Sequence, residues 1–173
     1  MTQRQVFKTL KQYEGFELRE YAPCIIATVN VSGDLSTAGT LAFRPLFQYI
    51  SKGNNKSEKI SMTSPVILAH PTNKPISNQW LVSFVMPAGT TVAQLPDPTD
   101  PNVTLHNLAA EQCIATSFRG SVSEELVKEK DLTLRALASK ENISLSPETR
   151  ICRFDPPIKP GFLQYYELVI PLQ

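Results

Sequence analysis

The chain has 173 residues, 42% of them hydrophobic and 19% charged, with a formal net charge of +1. Such a length suits one domain that buries ~70% of its unfolded surface, and so balanced a charge sets up no field toward nucleic acid or an anionic membrane. No run approaches a membrane span and the first residues hold no unbroken apolar signal stretch, so the expectation is a single cytoplasmic domain over residues 1–173 with no nucleic-acid partner.

In chain order, Phe16 to Tyr21 reads as a first strand and Cys24 to Thr28, continuing to Gly33, as a second. Ala38, Leu41, Ala42, Pro45, Leu46, Tyr49 and Ile50 then recur at the spacing of a buried helix face. Pro45 lacks an N–H and clashes with the preceding turn, so it should kink or restart that helix. Thr40, Phe43, Arg44, Phe47 and Gln48 fall on an outward strip. Loops covering the strip would make it ordinary core. Left open, it is a platform for a flat apolar ligand that carries negative charge.

After a Gly53-Asn54-Asn55 turn, Lys59 to Val66 reads as a strand with Ile60, Met62 and Val66 on one face. Met62 suits either core filling or a ligand-facing wall. Pro65 cannot donate to a ladder and belongs at an edge or a bulge, where backbone is left to meet something else. Lys74 to Asn78 is an exposed hairpin loop before the strand that ends at Ser83-Phe84-Val85-Met86-Pro87. Leu95 to Pro101, with three prolines, is an extended connector without a packed core.

The second half opens with a strand from Val103 to Leu108 and another from Cys113 to Gly120. Ser121-Val122-Ser123-Glu124 has the form of a capping box for a second helix, whose apolar side is Leu126, Val127, Leu134, Leu137 and Ala138. Phe154 to Phe162, rich in proline, is a stiff loop before the last strand, Leu168-Val169-Ile170-Pro171. The two halves echo each other over about residues 16–87 and 103–171. Cys24-Ile25-Ile26-Ala27-Thr28 is matched by Cys113-Ile114-Ala115-Thr116. Two such units bury their apolar faces only by joining, which predicts an α+β domain with pseudo-twofold symmetry.

Cys24, Cys113 and Cys152 are odd in number, far apart and set in apolar surroundings, which predicts buried reduced thiols. His70 and His106 are the only imidazoles and lie at no metal-site spacing, so no metal ligand is assigned. Alternation places His106 on the exposed side of its strand. Gly-rich phosphate loops, nucleophile elbows and His-Glu-x-x-His or Cys-x-x-Cys motifs are absent from the sequence, so no catalytic residue is assigned.

Lys59-Ile60-Ser61-Met62-Thr63-Ser64-Pro65-Val66 after the Gly53 turn resembles the signature of the SOUL haem-binding protein family. Phe16-Glu17-Leu18-Arg19-Glu20-Tyr21-Ala22-Pro23, Phe43 to Ile50, Val82 to Pro87, Leu95-Pro96 with Pro98, Phe118-Arg119-Gly120, Phe154 to Pro160 and Glu167-Leu168-Val169 follow in the family's order. The resemblance implies a distorted antiparallel β-barrel of two pseudo-symmetric strand-helix-strand units with two helices packed on the outside. It is similar to the effector-binding domains of gyrase-inhibitor-like proteins, which place a ligand cleft near the helices. It further implies non-covalent haem or tetrapyrrole binding by a noncatalytic carrier or buffer, in an apolar cleft along the first helix walled by the loop after Phe154.

Glu20 stands where eukaryotic members carry a histidine proposed as axial ligand, so the sequence supplies no iron ligand. The family's basic positions near the propionates fall on Thr40 and Gln48, with Arg44 and Lys52 as neighbouring substitutes. The expected ligand residues are therefore Phe43, Arg44, Phe47, Lys52 and Met62. Two alternatives stand beside this reading. One is an effector-type module for another flat or amphipathic molecule; the other is a hydrolase using Glu20 or Glu167.

Overall fold

The computed structural model describes residues 2–71, 78–156 and 158–173. Most of the expected hairpin loop, Lys74 to Ser77, and Pro157 of the later loop lie outside the described residues. The elements run β1 (Gln3–Arg4), β2 (Phe7–Tyr13), β3 (Phe16–Tyr21), β4 (Cys24–Ser32), α1 (Leu35–Ile50), β5 (Thr63–Ala69) and β6 (Gln79–Val85). They continue with β7 (Thr104–Leu108), β8 (Glu111–Arg119), α2 (Glu124–Lys140), β9 (Arg150–Arg153) and β10 (Tyr165–Pro171).

All ten strands belong to one sheet, ordered β2-β3-β8-β10-β9-β5-β6-β4-β7, with β1 beside β5. Apart from the parallel β1–β5 contact, the pairings are antiparallel. The α+β class and the curled antiparallel sheet with two helices agree with the sequence. Exchanging β3 to β6 for β7 to β10 reverses the order of the eight strands that follow β2. Cys24 lies opposite Leu108 and Cys113 opposite Arg19, so each half lends its first strand to the second strand of the other. That exchange pairs edges which would otherwise be open.

Both helices pack on one face, α1 against β4 and β6 and α2 against β10. Leu46, Tyr49, Phe84, Ile114, Leu134, Leu168 and Ile170 form the centre of the layer between. Period-two alternation along β10 sends Tyr166, Leu168 and Ile170 into that core. Val169 joins Tyr21, Ile67, Val85, Cys113 and Cys152 on the opposite face.

Several local expectations are corrected. β1 and β2 were not legible, because their side chains are almost all exposed and carry no apolar period; backbone pairing holds them. β5 begins at Thr63, not Lys59: the Ile60 N–H instead bonds the Ile50 carbonyl at the end of α1, 2.7 Å away. Pro65 does sit at a register shift, and Thr63 and Ser64 ahead of it pair with β1.

α1 runs through Pro45 as one helix, with no restart. Pro45 forfeits one helical bond, while Ala42, Leu46 and Tyr49 on either side of it are buried. Leu41, expected inside, is 51% exposed. The buried line is Leu35, Ala38, Ala42, Leu46, Tyr49 and Ile50, which leaves Leu41 on the flank. α2 is capped by Ser123, whose hydroxyl accepts the Leu126 N–H at 3.2 Å, not by Ser121. Glu124 is thereby free to accept the first N–H of α1, from Leu35, at 2.9 Å.

The proline connector is also more closely packed than its composition implies. Leu95 is buried, and the Tyr49 hydroxyl donates to the Pro96 carbonyl at 2.7 Å. Beside it, buried Asn54 donates to the Tyr49 and Glu58 carbonyls and accepts the Lys56 and Glu58 N–H groups. The turn after α1 is thus held from inside.

All three thiols are free. Cys113 and Cys152 are buried, whereas Cys24 is half-buried with the Gln5 amide against its sulfur. Burial raises all three thiols above the usual value, Cys113 to about 12. A thiol with a raised folded-state value contributes stability that is intact below the unfolded value of 9.0 and is lost as pH rises toward 12. A native-state thiol reagent at pH 8 should label Cys24 first and leave Cys113 and Cys152 protected until the protein opens. Rapid labelling of all three would contradict this packing.

Candidate ligand-binding site

The outward side of α1 carries the aromatic pair. Phe43 and Phe47, one turn apart, stack with ring centres 5.4 Å apart, and Phe43 meets Phe84 edge-on at 5.8 Å. Phe47 is 48% exposed and Phe43 is half-buried. One ring is therefore anchored by the core and supports the other in the open.

The remaining expected residues are dispersed around this pair. Arg44 is exposed and makes no ion pair among the described residues. Lys52 lies past the helix end at a positive φ of 106°, exposed. Met62 is half-buried against the main core, just ahead of β5. Thr40 and Gln48 are exposed.

A residue absent from the sequence-based set lies at the other end of the helix. Leu35, Ser36, Ser121, Arg153, Lys159 and Tyr166 help line a cavity of about 290 Å³ between the starts of α1 and α2. Arg153 reaches it from the end of β9, and its Nη1 lies 3.1 Å from where a Cβ on Gly39 would stand. Gly39 is the gap in α1 that admits the guanidinium. Arg153 Nε is buried and has no hydrogen-bond partner among the described residues.

Lys159 is placed differently, since it pairs with Asp155 at 3.0 Å. Partial burial works to raise the Asp155 carboxyl, but the Tyr165 N–H and Lys159 outweigh it and hold the group below the usual range. The loop bearing Lys159 also exposes Ile158, at 92%, and Phe162, at 72%. Ser36, Gly39, Phe43 and Phe47 follow at steps of three and four, so cavity and rings lie along one stripe of α1.

The carboxylates considered for hydrolysis lie elsewhere. Glu20 is exposed on β3. Glu167 alternates with Tyr166 and so faces away from the cavity. It accepts two bonds from Arg19, at 2.7 and 2.9 Å, and one from the Tyr165 hydroxyl at 2.8 Å. His106 is exposed, as alternation implied, and His70 packs at a tilt against Trp80, with ring centres 3.9 Å apart. Among the described residues no cluster of three or more His, Cys, Asp or Glu could hold a metal ion.

Comparison with known proteins decides the family. The description "SOUL heme-binding protein" matches residues 2–171, almost the whole chain. The chain belongs to the SOUL haem-binding family. "Heme-binding protein 1" of Xenopus laevis is 28% identical over 160 residues, covering 90% of this chain and 83% of that protein. "Heme-binding protein 2" of Mus musculus is 30% identical over 133 residues, covering 73% of this chain and 63% of that protein.

Among solved structures, the EcmrR C-terminal domain superposes with a TM-score of 0.68 at 15% identity, covering 97% of this SOUL chain and 98% of that one. A hydrolase from Listeria innocua gives 0.63 at 12% identity, covering 91% of each. At such identities the likeness is one of fold alone. Haem is a flat apolar ring with two carboxylates at one edge. The half-exposed aromatic pair on α1 and the cavity that Arg153 of β9 lines are the features of this chain to set beside that shape.

Proposed function

We propose that this SOUL-family chain binds haem or a related tetrapyrrole without covalent attachment and acts as a noncatalytic carrier or buffer. The macrocycle lies on the outward side of α1 over Phe43 and Phe47. The observation that carries this is the stacked, half-exposed Phe43–Phe47 pair on a helix whose opposite side is fully packed. Apolar rings left partly in water on a helix mark a surface that gains by being covered. The haem-binding names of the SOUL relatives point to what covers it.

The chain's own residues supply apolar area from the rings and charge from Arg44 and Arg153, with Lys52 beyond the helix end. Iron, when bound, would supply the haem spectrum. Glu167 is engaged by Arg19 and Tyr165 on the far face, and exposed Glu20 has no side-chain hydrogen bond or ion pair among the described residues, which supports a noncatalytic role. Free thiols suit a reducing compartment such as the cytoplasm.

The test is a visible-absorption titration with ferric haem and, in parallel, with free-base porphyrin. A platform that works by ring contact should bind both saturably and with similar affinity. Failure of both to saturate would end the proposal, and saturation by haem alone would move the site to an iron ligand away from the rings.

A further inference from the structure

Among the described residues Arg153 is a cation without a counter-charge, and the carboxylates around it are already committed. Asp155 is taken by Lys159 and the Tyr165 N–H. Glu124 accepts from the Leu35 N–H, and Asp34 from Ser36 and Thr37. Two of these contacts take the Leu35 and Thr37 N–H groups at the start of α1, so the helix terminus itself has less left to offer an anion. Among the described residues Arg153 forms no ion pair and its buried Nε has no acceptor. A buried guanidinium N–H left unbonded is costly, and an entering carboxylate would relieve that with a short, charge-assisted contact.

The geometry points to the cavity at the head of α1 as an anchoring site for a carboxylate, with Arg153 selecting ligands that are acidic at one edge. This rests on the tetrapyrrole reading and adds which edge of the ligand lies where. Gly39, against which Arg153 packs, is about 6 Å along the helix from Phe43 and about 12 Å from Phe47, at 1.5 Å per residue. A flat polycyclic acid can therefore reach Arg153 while its body covers both rings. Lys159 also lines the cavity, but its pairing with Asp155 makes it the weaker anchor. Esterified or neutral macrocycles gain nothing from Arg153 and should bind less well.

The experiment uses the intact chain, with free-base deuteroporphyrin, its dimethyl ester and 1-naphthoate as probes. The Arg153 Nε–H resonance, assigned by its loss in Arg153→Lys, is followed by nitrogen-15 NMR. The diacid should bind roughly tenfold or more tightly than the ester, and Arg153→Gln should remove most of that preference by weakening the diacid far more than the ester. Gly39→Ala keeps the charge but sets a Cβ 3.1 Å from the guanidinium, so it should weaken the diacid alone, with a melting curve beside it to show that the fold is kept. Naphthoate should shift the Nε–H signal.

Equal binding of diacid and ester, an unchanged preference in Arg153→Gln, or an Nε–H signal unmoved at saturation overturns the anchor while leaving the tetrapyrrole reading intact. If neither porphyrin binds while naphthoate still moves the signal, the tetrapyrrole reading falls and the carboxylate site remains.

Discussion

Arg19→Met is expected to cost about 3–5 kcal/mol of stability and to lower the melting temperature by roughly 6–20 °C. Arg19 is 6% exposed and Glu167 4% exposed on the sheet face away from the helices. The guanidinium donates to both Glu167 oxygens, to Glu17 and to the Tyr21 hydroxyl, and lies 4.0 Å over the Phe7 ring. Burial works against its charge, yet Glu167 and Tyr21 hold it more firmly protonated than an ordinary arginine. The same burial raises the Tyr21 hydroxyl. Methionine would fill much of the volume and leave two carboxylates without their cation. The large cost comes from that uncompensated charge, because a buried pair as a unit contributes little net stability. Arg19→Met combined with Glu167→Leu should therefore recover most of the loss. A single mutant within about 1 kcal/mol of the parent by chemical denaturation would show that the pair is not buried as described.

That ion pair also shows where the sequence stops being informative. Arg19 and Glu167 were both singled out, one in the opening motif and one as a possible acid, but they lie 148 residues apart. They meet only because β8 is inserted between β3 and β10, an order that no local pattern specifies. Cys24 and Cys113 lie on β4 and β8, whose pairings with β7 and β3 show the same exchange of partners. Helix α1 was readable from its period, though Leu41 was misplaced by assigning too wide a buried stripe. Arg153 escaped notice because its role depends on Gly39 lying over it, on an element far away in sequence. A glycine inside a helix, at a cost relative to alanine, was the available sign that something large approaches there. Strands β1 and β2 had no periodic sign, since their side chains are mostly exposed and Phe7, Leu10 and Tyr13 of β2 recur at steps of three, not two.

The aromatic pair gives the other large effect, on binding. Phe47→Ala removes a ring that is nearly half in water, so it should cost about 1 kcal/mol or less of stability. Phe43→Ala breaks the edge contact with Phe84 and should cost about 1–3 kcal/mol. Together they leave a folded domain, because the sum stays below the usual 5–15 kcal/mol margin. Affinity for haem and for free-base porphyrin should nevertheless fall together, by roughly tenfold or more, since apolar contact with the macrocycle does not involve iron. Arg44→Ala is the contrasting variant. Arg44 is exposed, so its pull on a propionate is screened, and its loss should weaken binding only a few-fold at low salt and vanish as salt is raised. Melting curves taken beside both titrations separate the outcomes. A double phenylalanine variant that melts near the parent and binds porphyrin normally would place the ligand off α1. One that unfolds outright would mean that Phe47 is core after all.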